Sequence, residues 1–138
     1  MSDMNEWNRQ IIEEFRANDG KVGGDLAGMQ LLLLHHVGAK SGRERVNPLA
    51  FQQLGDSVAV FASKGGAPTN PDWYHNLLAH PDVTIEFASG TQRATARVAS
   101  GEERERIWNA QKAVYPNFAE YERTAGARQI PVVVLDPS

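Results

Sequence analysis

The chain has 138 residues, 41% of them hydrophobic, a formal net charge of −3 and no cysteine. That length suits one domain with one core. The missing cysteine excludes disulfides, thiolate nucleophiles, iron–sulfur clusters and cysteine-ligated zinc, and the acidic balance argues against a nucleic-acid partner. No apolar run approaches the roughly 20 residues that span a bilayer. Met1 to Arg9 carries no basic segment leading into an apolar one, so no secretory signal is expected and a cytoplasmic protein fits.

In chain order, Asp3 to Asn18 reads as a helix. Met4, Trp7, Ile11 and Phe15 recur at spacings of three and four, on one stripe. Asp3 with Glu6 has capping-box form, and Asp19-Gly20 stops the helix before a loop with Gly23 and Gly24. The stripe is expected to pack on the rest of the protein. The alternative, a peripheral contact with the inner face of a membrane, is opposed by Asp3, Glu6, Glu13, Glu14 and Asp19 against Arg9 and Arg16.

Gln30 to Val37 reads as a strand buried on both sides, because four leucines run together. Gly38 to Gly42 turns into a strand from about Glu44 to Leu54, where Pro48 marks an edge or a bulge. Gly55-Asp56 makes a hairpin into Ser57 to Ala62. A glycine-rich loop, Ser63 to Asn70, precedes a short helix from Pro71 to Ala79. Val83 to Phe87 and Gln92 to Ala99 alternate as a hairpin. Ser100 with Glu103 is expected to cap a helix carrying Ile107, Trp108 and Val114, which breaks at Tyr115-Pro116. A helical turn with Phe118 and Tyr121 follows, and Pro131 to Leu135 closes the chain as a buried strand. The order predicts a mainly β (α+β) fold, a small, partly open barrel with flanking helices. Residues 1–24 form an N-terminal helix and loop, and 25–138 the barrel.

Two constellations carry chemistry. In Gly38-Ala39-Lys40-Ser41-Gly42-Arg43-Glu44-Arg45, three cations and a hydroxyl share eight residues with two glycines. The glycines let backbone N–H groups turn toward an anion, and Arg43 and Arg45 can each offer paired donors to phosphate or carboxylate. A solvated basic turn is the alternative. In Ala62-Ser63-Lys64-Gly65-Gly66-Ala67-Pro68, followed by Trp73 and Asn76, two adjacent glycines allow backbone to approach a flat ligand, and Trp73 offers an aromatic wall. A flexible loop followed by a core tryptophan is the alternative. Together they describe an elongated site with a polyanionic end and a flat, polar-edged end.

The run Gly38 to Arg43 with Arg45 and Asn47-Pro48-Leu49, followed by Ala62 to Pro68 and Pro71 to Leu77, resembles the two signatures of the deazaflavin (F420)-dependent nitroreductase family. That family lies in the A branch of the actinobacterial-type flavin/deazaflavin oxidoreductases. His80-Pro81-Asp82-Val83 also matches its style, and the likeness covers residues 25 to 137. The resemblance implies a split β-barrel similar to flavin-mononucleotide-binding proteins. It implies that Lys40, Ser41, Arg43 and Arg45 hold the phosphate and oligoglutamate tail of coenzyme F420. It further implies that Asn47, Pro48, Leu49, Ala50, Ala62, Ser63, Lys64, Gly65, Gly66 and Pro68 line the deazaflavin, with Trp73 and Asn76 nearby.

The expected activity is hydride transfer from reduced F420 to a small electron-poor acceptor, a quinone or nitroaromatic. Tyr115, Tyr121 and Ser63 are the candidates for handling the proton. Phe118 stands where the family carries a further tyrosine, which weighs against nitroimidazole activation. Flavin mononucleotide is the alternative cofactor, and a non-catalytic deazaflavin carrier the alternative role. Split-barrel relatives often dimerise, which leaves monomer and homodimer both open. A metal site is not expected, because His35 and His36 are neighbours on a strand and point to opposite faces.

Overall fold

The computed structural model describes residues 3–18, 20, 30–63, 70–126 and 129–138, with side chains from Arg9 onward. Helix α1 (Asp3–Ala17) leads into strands β1 (Leu31–Val37), β2 (Glu44–Leu54) and β3 (Ser57–Phe61). Helix α2 (Asp72–Ala79) precedes the β4 (Asp82–Phe87) and β5 (Gly90–Val98) hairpin. Helices α3 (Gly101–Val114) and α4 (Asn117–Thr124) then lead to β6 (Val132–Pro137). The strands pair antiparallel throughout and close a barrel in the order β1-β2-β3-β6-β5-β4.

The apolar runs decide which strands carry cover. On β1, Leu32 and Leu34 enter the barrel core, while Leu31 and Leu33 pack under Ile11 and Phe15 of α1. The expected packing of the α1 stripe on the barrel is therefore met by Ile11 and Phe15; Met4, Trp7 and the Asp3/Glu6 capping pair lie outside the described side chains. β3 and β6 repeat the arrangement. Val58, Val60, Val133 and Leu135 point inward, and Ala59, Phe61, Val132 and Val134 lie beneath α3 and α4. Strands with an apolar run are covered on both faces, because each face must leave water. By contrast, β5 alternates and keeps one face in solvent.

Helix α2 plugs one end of the barrel with Trp73 and Leu77. At the other mouth, Phe51, Val58, Ile85, Phe87 and Leu135 border a cavity of about 450 Å³. α1 is latched by Arg16, whose guanidinium donates twice to Glu86 at 2.9 and 2.8 Å. The expected cap on α3 is not formed. Ser100 is the N-cap but makes no side-chain cap hydrogen bond. Glu103 instead accepts two bonds from Arg97, at 2.7 and 3.0 Å. A charged, bidentate partner across the strand outcompetes a backbone amide for the carboxylate.

Candidate active site

Among the described residues, the β2–β3 ladder stops short of Pro48. β2 zips to β3 from Leu54↔Ser57 up to Phe51↔Val60. Extending that register would set Ser63 opposite Pro48. The Phe51 N–H donates to Gln30 O at 3.2 Å, toward the β1 side. Alternation in an antiparallel ladder then turns the backbone groups of Val46, Pro48 and Ala50 toward the β3 side. Pro48 has no N–H to offer there. Pairing with β2 has ended at Phe51↔Val60, while the Ala62 N–H, which faces β6, continues that ladder to Pro131 O at 3.0 Å. Among the described residues, 44–50 pair with β1 alone, so the expected edge at Pro48 is present.

The same alternation divides the residues grouped by sequence. Leu49 packs against the barrel core, whereas Val46 and Ala50 pack under α1. Pro48 shares the Ala50 side. Pro48, Leu49 and Ala50 thus do not present side chains from one face; Pro48 and Ala50 reach the opening through backbone. Ala62 and Trp73 belong to the barrel core, and Trp73 is only 6% exposed. Trp73 stands behind Ala62 as packing, not as an open wall. Ser63 is half-buried at the opening. Lys64, Gly65, Gly66 and Pro68 lie outside the described residues.

The basic turn sits at one end of this opening. Its backbone bonds are local: Gly38 N–H to Arg43 O at 2.9 Å, Gly42 N–H to Gly38 O at 3.0 Å, and Arg43 N–H to Ser41 Oγ at 3.2 Å. Gly42 requires its glycine at φ 70°, and a Cβ on Gly38 would overlap Ser41 Oγ. The Gly38, Ala39, Gly42 and Arg43 amides are spent on the protein, so the expected backbone cradle for an anion is not formed by them. The side chains are what remain. Lys40, Arg43 and Arg45 are exposed and have no ion-pair partner among the described residues. Three like charges within six residues repel one another, which a polyanion would relieve.

Beneath the turn lies a buried polar chain. Ala39 donates its N–H to Asn76 Oδ1 at 2.8 Å. Asn76 Nδ2 lies 3.2 Å from His36 Nδ1, and His36 Nε2 lies 2.7 Å from Asn47 Oδ1. Burial is the main cause that holds the His36 pKa below the ordinary histidine range; the Asn47 bond opposes it, and Arg45 and His35 add to it. His35 takes the opposite face, with Nε2 3.0 Å from Glu86. Asn76, read as a residue near the cofactor, has its amide committed to this chain.

The C-terminal aromatics pack on the outer face of β3. Phe118 is buried, with its ring 5.6 Å from Phe61 and 6.0 Å from Trp108. Tyr121 and Tyr115 are half-buried against it, at 5.2 and 6.3 Å. Asn117 Nδ2 donates to Tyr121 Oη at 3.0 Å. Phe61 is one strand repeat before Ser63, so the cluster borders the opening without being assembled from it.

Comparison with known proteins places this architecture. The model of a family described as F420H(2)-dependent quinone reductase matches residues 7–137. The F420H(2)-dependent quinone reductase Rv1261c of Mycobacterium tuberculosis is 36% identical over 124 residues, covering 88% of this chain and 83% of that protein. A solved F420-H2 dependent reductase, FDR-A, is 38% identical with a TM-score of 0.71, over 78% of this chain and 94% of its own. A structure described as a domain-swapped dimer is 35% identical with a TM-score of 0.72, over 97% and 98%.

Proposed function

The chain belongs to the F420H(2)-dependent quinone reductase family and is an oxidoreductase that uses reduced coenzyme F420, and on that premise we propose that it reduces a quinone-like acceptor at the opening beside Pro48. The observation that carries this reading is the basic turn, without an ion-pair partner among the described residues, at one end of a stretch of β2 that pairs among them with β1 alone. An elongated ligand with an acidic tail and a flat ring fits that pair of features.

When bound, F420H2 supplies a hydride, and that chemistry is the cofactor's own. Lys40, Ser41, Arg43 and Arg45 would hold its phosphate and glutamate tail. Leu49, Ala62, Ser63 and the backbone of Pro48 and Ala50 would border the ring, with Asn47 between ring and tail; the resemblance assigns Lys64, Gly65, Gly66 and Pro68, outside the described residues, to the ring as well. The apolar side chains there exclude water. Ser63, Tyr115 and Tyr121 carry the hydroxyls that can deliver a proton to a reduced acceptor. Three cations exceed what one phosphate needs, which favours F420 over flavin mononucleotide.

The test is direct. Protein mixed with F420H2 and menadione is expected to oxidise the cofactor, and fluorescence titration is expected to show F420 binding tighter than flavin mononucleotide. Arg43→Ala with Arg45→Ala should weaken F420 about tenfold or more, since charge-assisted bonds are worth about 1.5–3 kcal/mol each. Binding without turnover would make the protein a carrier. Equal affinity for both cofactors would overturn the tail assignment.

A further inference from the structure

The polar chain Ala39–Asn76–His36–Asn47 has one consistent proton arrangement. A backbone N–H can only donate, so the Asn76 atom facing Ala39 is its carbonyl oxygen. The Asn76 NH2 group then points at His36 Nδ1, which must accept. The remaining ring nitrogen, Nε2, carries the hydrogen and donates to Asn47 Oδ1. His36 is 2% exposed and is held neutral, chiefly by burial. One ring thus joins β2 to α2, and α2 in turn grips the amide next to Lys40.

We propose that His36 is a positioning residue for the acidic end of the cofactor: by joining Asn47 to Asn76 it fixes the Ala39 amide, and with it the direction in which Lys40, Arg43 and Arg45 project. The proposal rests on the reading of that turn as the tail site. His36 need not touch the ligand. Its contribution is to place cations before binding, so that less ordering is required when the tail arrives. A glycine-containing turn without that anchor would sample several directions.

The experiment uses two variants and two ligands. His36→Leu removes both ring contacts, whereas His36→Gln keeps one donor and one acceptor. The ligands are F420 and the deazaflavin riboside that lacks phosphate and glutamates. His36→Leu is expected to weaken F420 binding about tenfold, the scale of 1.4 kcal/mol, and to leave riboside binding unchanged. His36→Gln is expected to restore F420 affinity to within about threefold. Equal losses for both ligands, or no loss for F420, overturn the proposal. The Arg43/Arg45 double variant separates the two readings. If it too binds F420 normally, the tail site itself is misplaced; if it is weakened while His36→Leu is not, only the positioning role falls. Should His36→Leu fail to fold, ring nitrogen spectra of the unaltered protein decide. An unprotonated Nδ1 and a protonated Nε2 that shift with F420 but not with the riboside support the proposal. The opposite tautomer, or identical responses to both ligands, sinks it.

Discussion

The α3–α4 face and the β2 edge lie on one barrel and treat charge in opposite ways. On the helical face, charges are spent on the protein. Trp108 Nε1 donates to Glu122 at 2.6 Å and Lys112 Nζ reaches the same carboxylate at 3.1 Å. Arg97 is shared between Glu103 and Asp136, and Arg104, 6% exposed, donates to Ile130 O at 2.7 Å. At the β2 edge, Lys40, Arg43 and Arg45 have no carboxylate partner among the described residues, while the uncharged groups beneath them are satisfied. The first region is built to be stable and the second to receive something. Charge left unpaired above a fully bonded platform marks the difference better than exposure does.

Three perturbations sharpen or break that contrast. The largest effect is expected from Phe118→Ala. Removing a buried ring that touches Phe61 and Trp108 should cost about 3–5 kcal/mol, read from denaturant unfolding. F420 affinity in the folded fraction should hardly change. A loss of cofactor binding at unchanged stability would move the aromatic cluster into the receiving region.

Tyr121→Ala probes the border. Its ring is half-buried and its hydroxyl already accepts a bond from Asn117. If α4 closes over the ring site as a lid, kcat/KM for menadione should fall about tenfold, near 1.4 kcal/mol, with F420 affinity constant. A variant that only lowers the melting temperature would assign Tyr121 to the stable region.

The smallest effect concerns α1. Hydrogen bonding from Arg16 is the main cause that draws the Glu86 pKa from 4.5 down to about 2, with burial opposing and His35 assisting. A depressed folded pKa adds stability that is present above about pH 4.5 and is lost as pH falls toward 2. Glu86→Gln should therefore cost about 1 kcal/mol near neutrality, given the half-exposed arginine. It should also flatten the acid limb of the stability profile. An unchanged acid limb would show that the latch contributes nothing.

Much of this was legible in the sequence, for physical reasons that differ by element. The double-sided burial of β1 was written in Leu31–Leu34, the β2–β3 hairpin in Gly55-Asp56, and the α3–α4 break in Tyr115-Pro116. These are local signals. Partner choice was not local. Ser100 and Glu103 have capping spacing, yet Arg97 across the turn takes the carboxylate. Trp73 looked like a wall and is packing, because only the closed barrel reveals which side of α2 faces inward. His36 could have been sharpened as well. A polar residue at an inward position of an otherwise leucine strand must find buried partners, and Asn47 sits on the neighbouring strand.

Pro48 has one more consequence, for the protein's dealings with other chains. Among the described residues, 44–50 pair on one side alone; a strand rim of that kind is a template onto which a foreign strand can add, and natural sheets guard such rims. Here the guard stands in the middle of the rim. Pro48 withholds the one N–H that an incoming strand would need between those of Val46 and Ala50, while Glu44 and Arg45 charge its approach. A proline that donates nothing to β3 also donates nothing to a stranger.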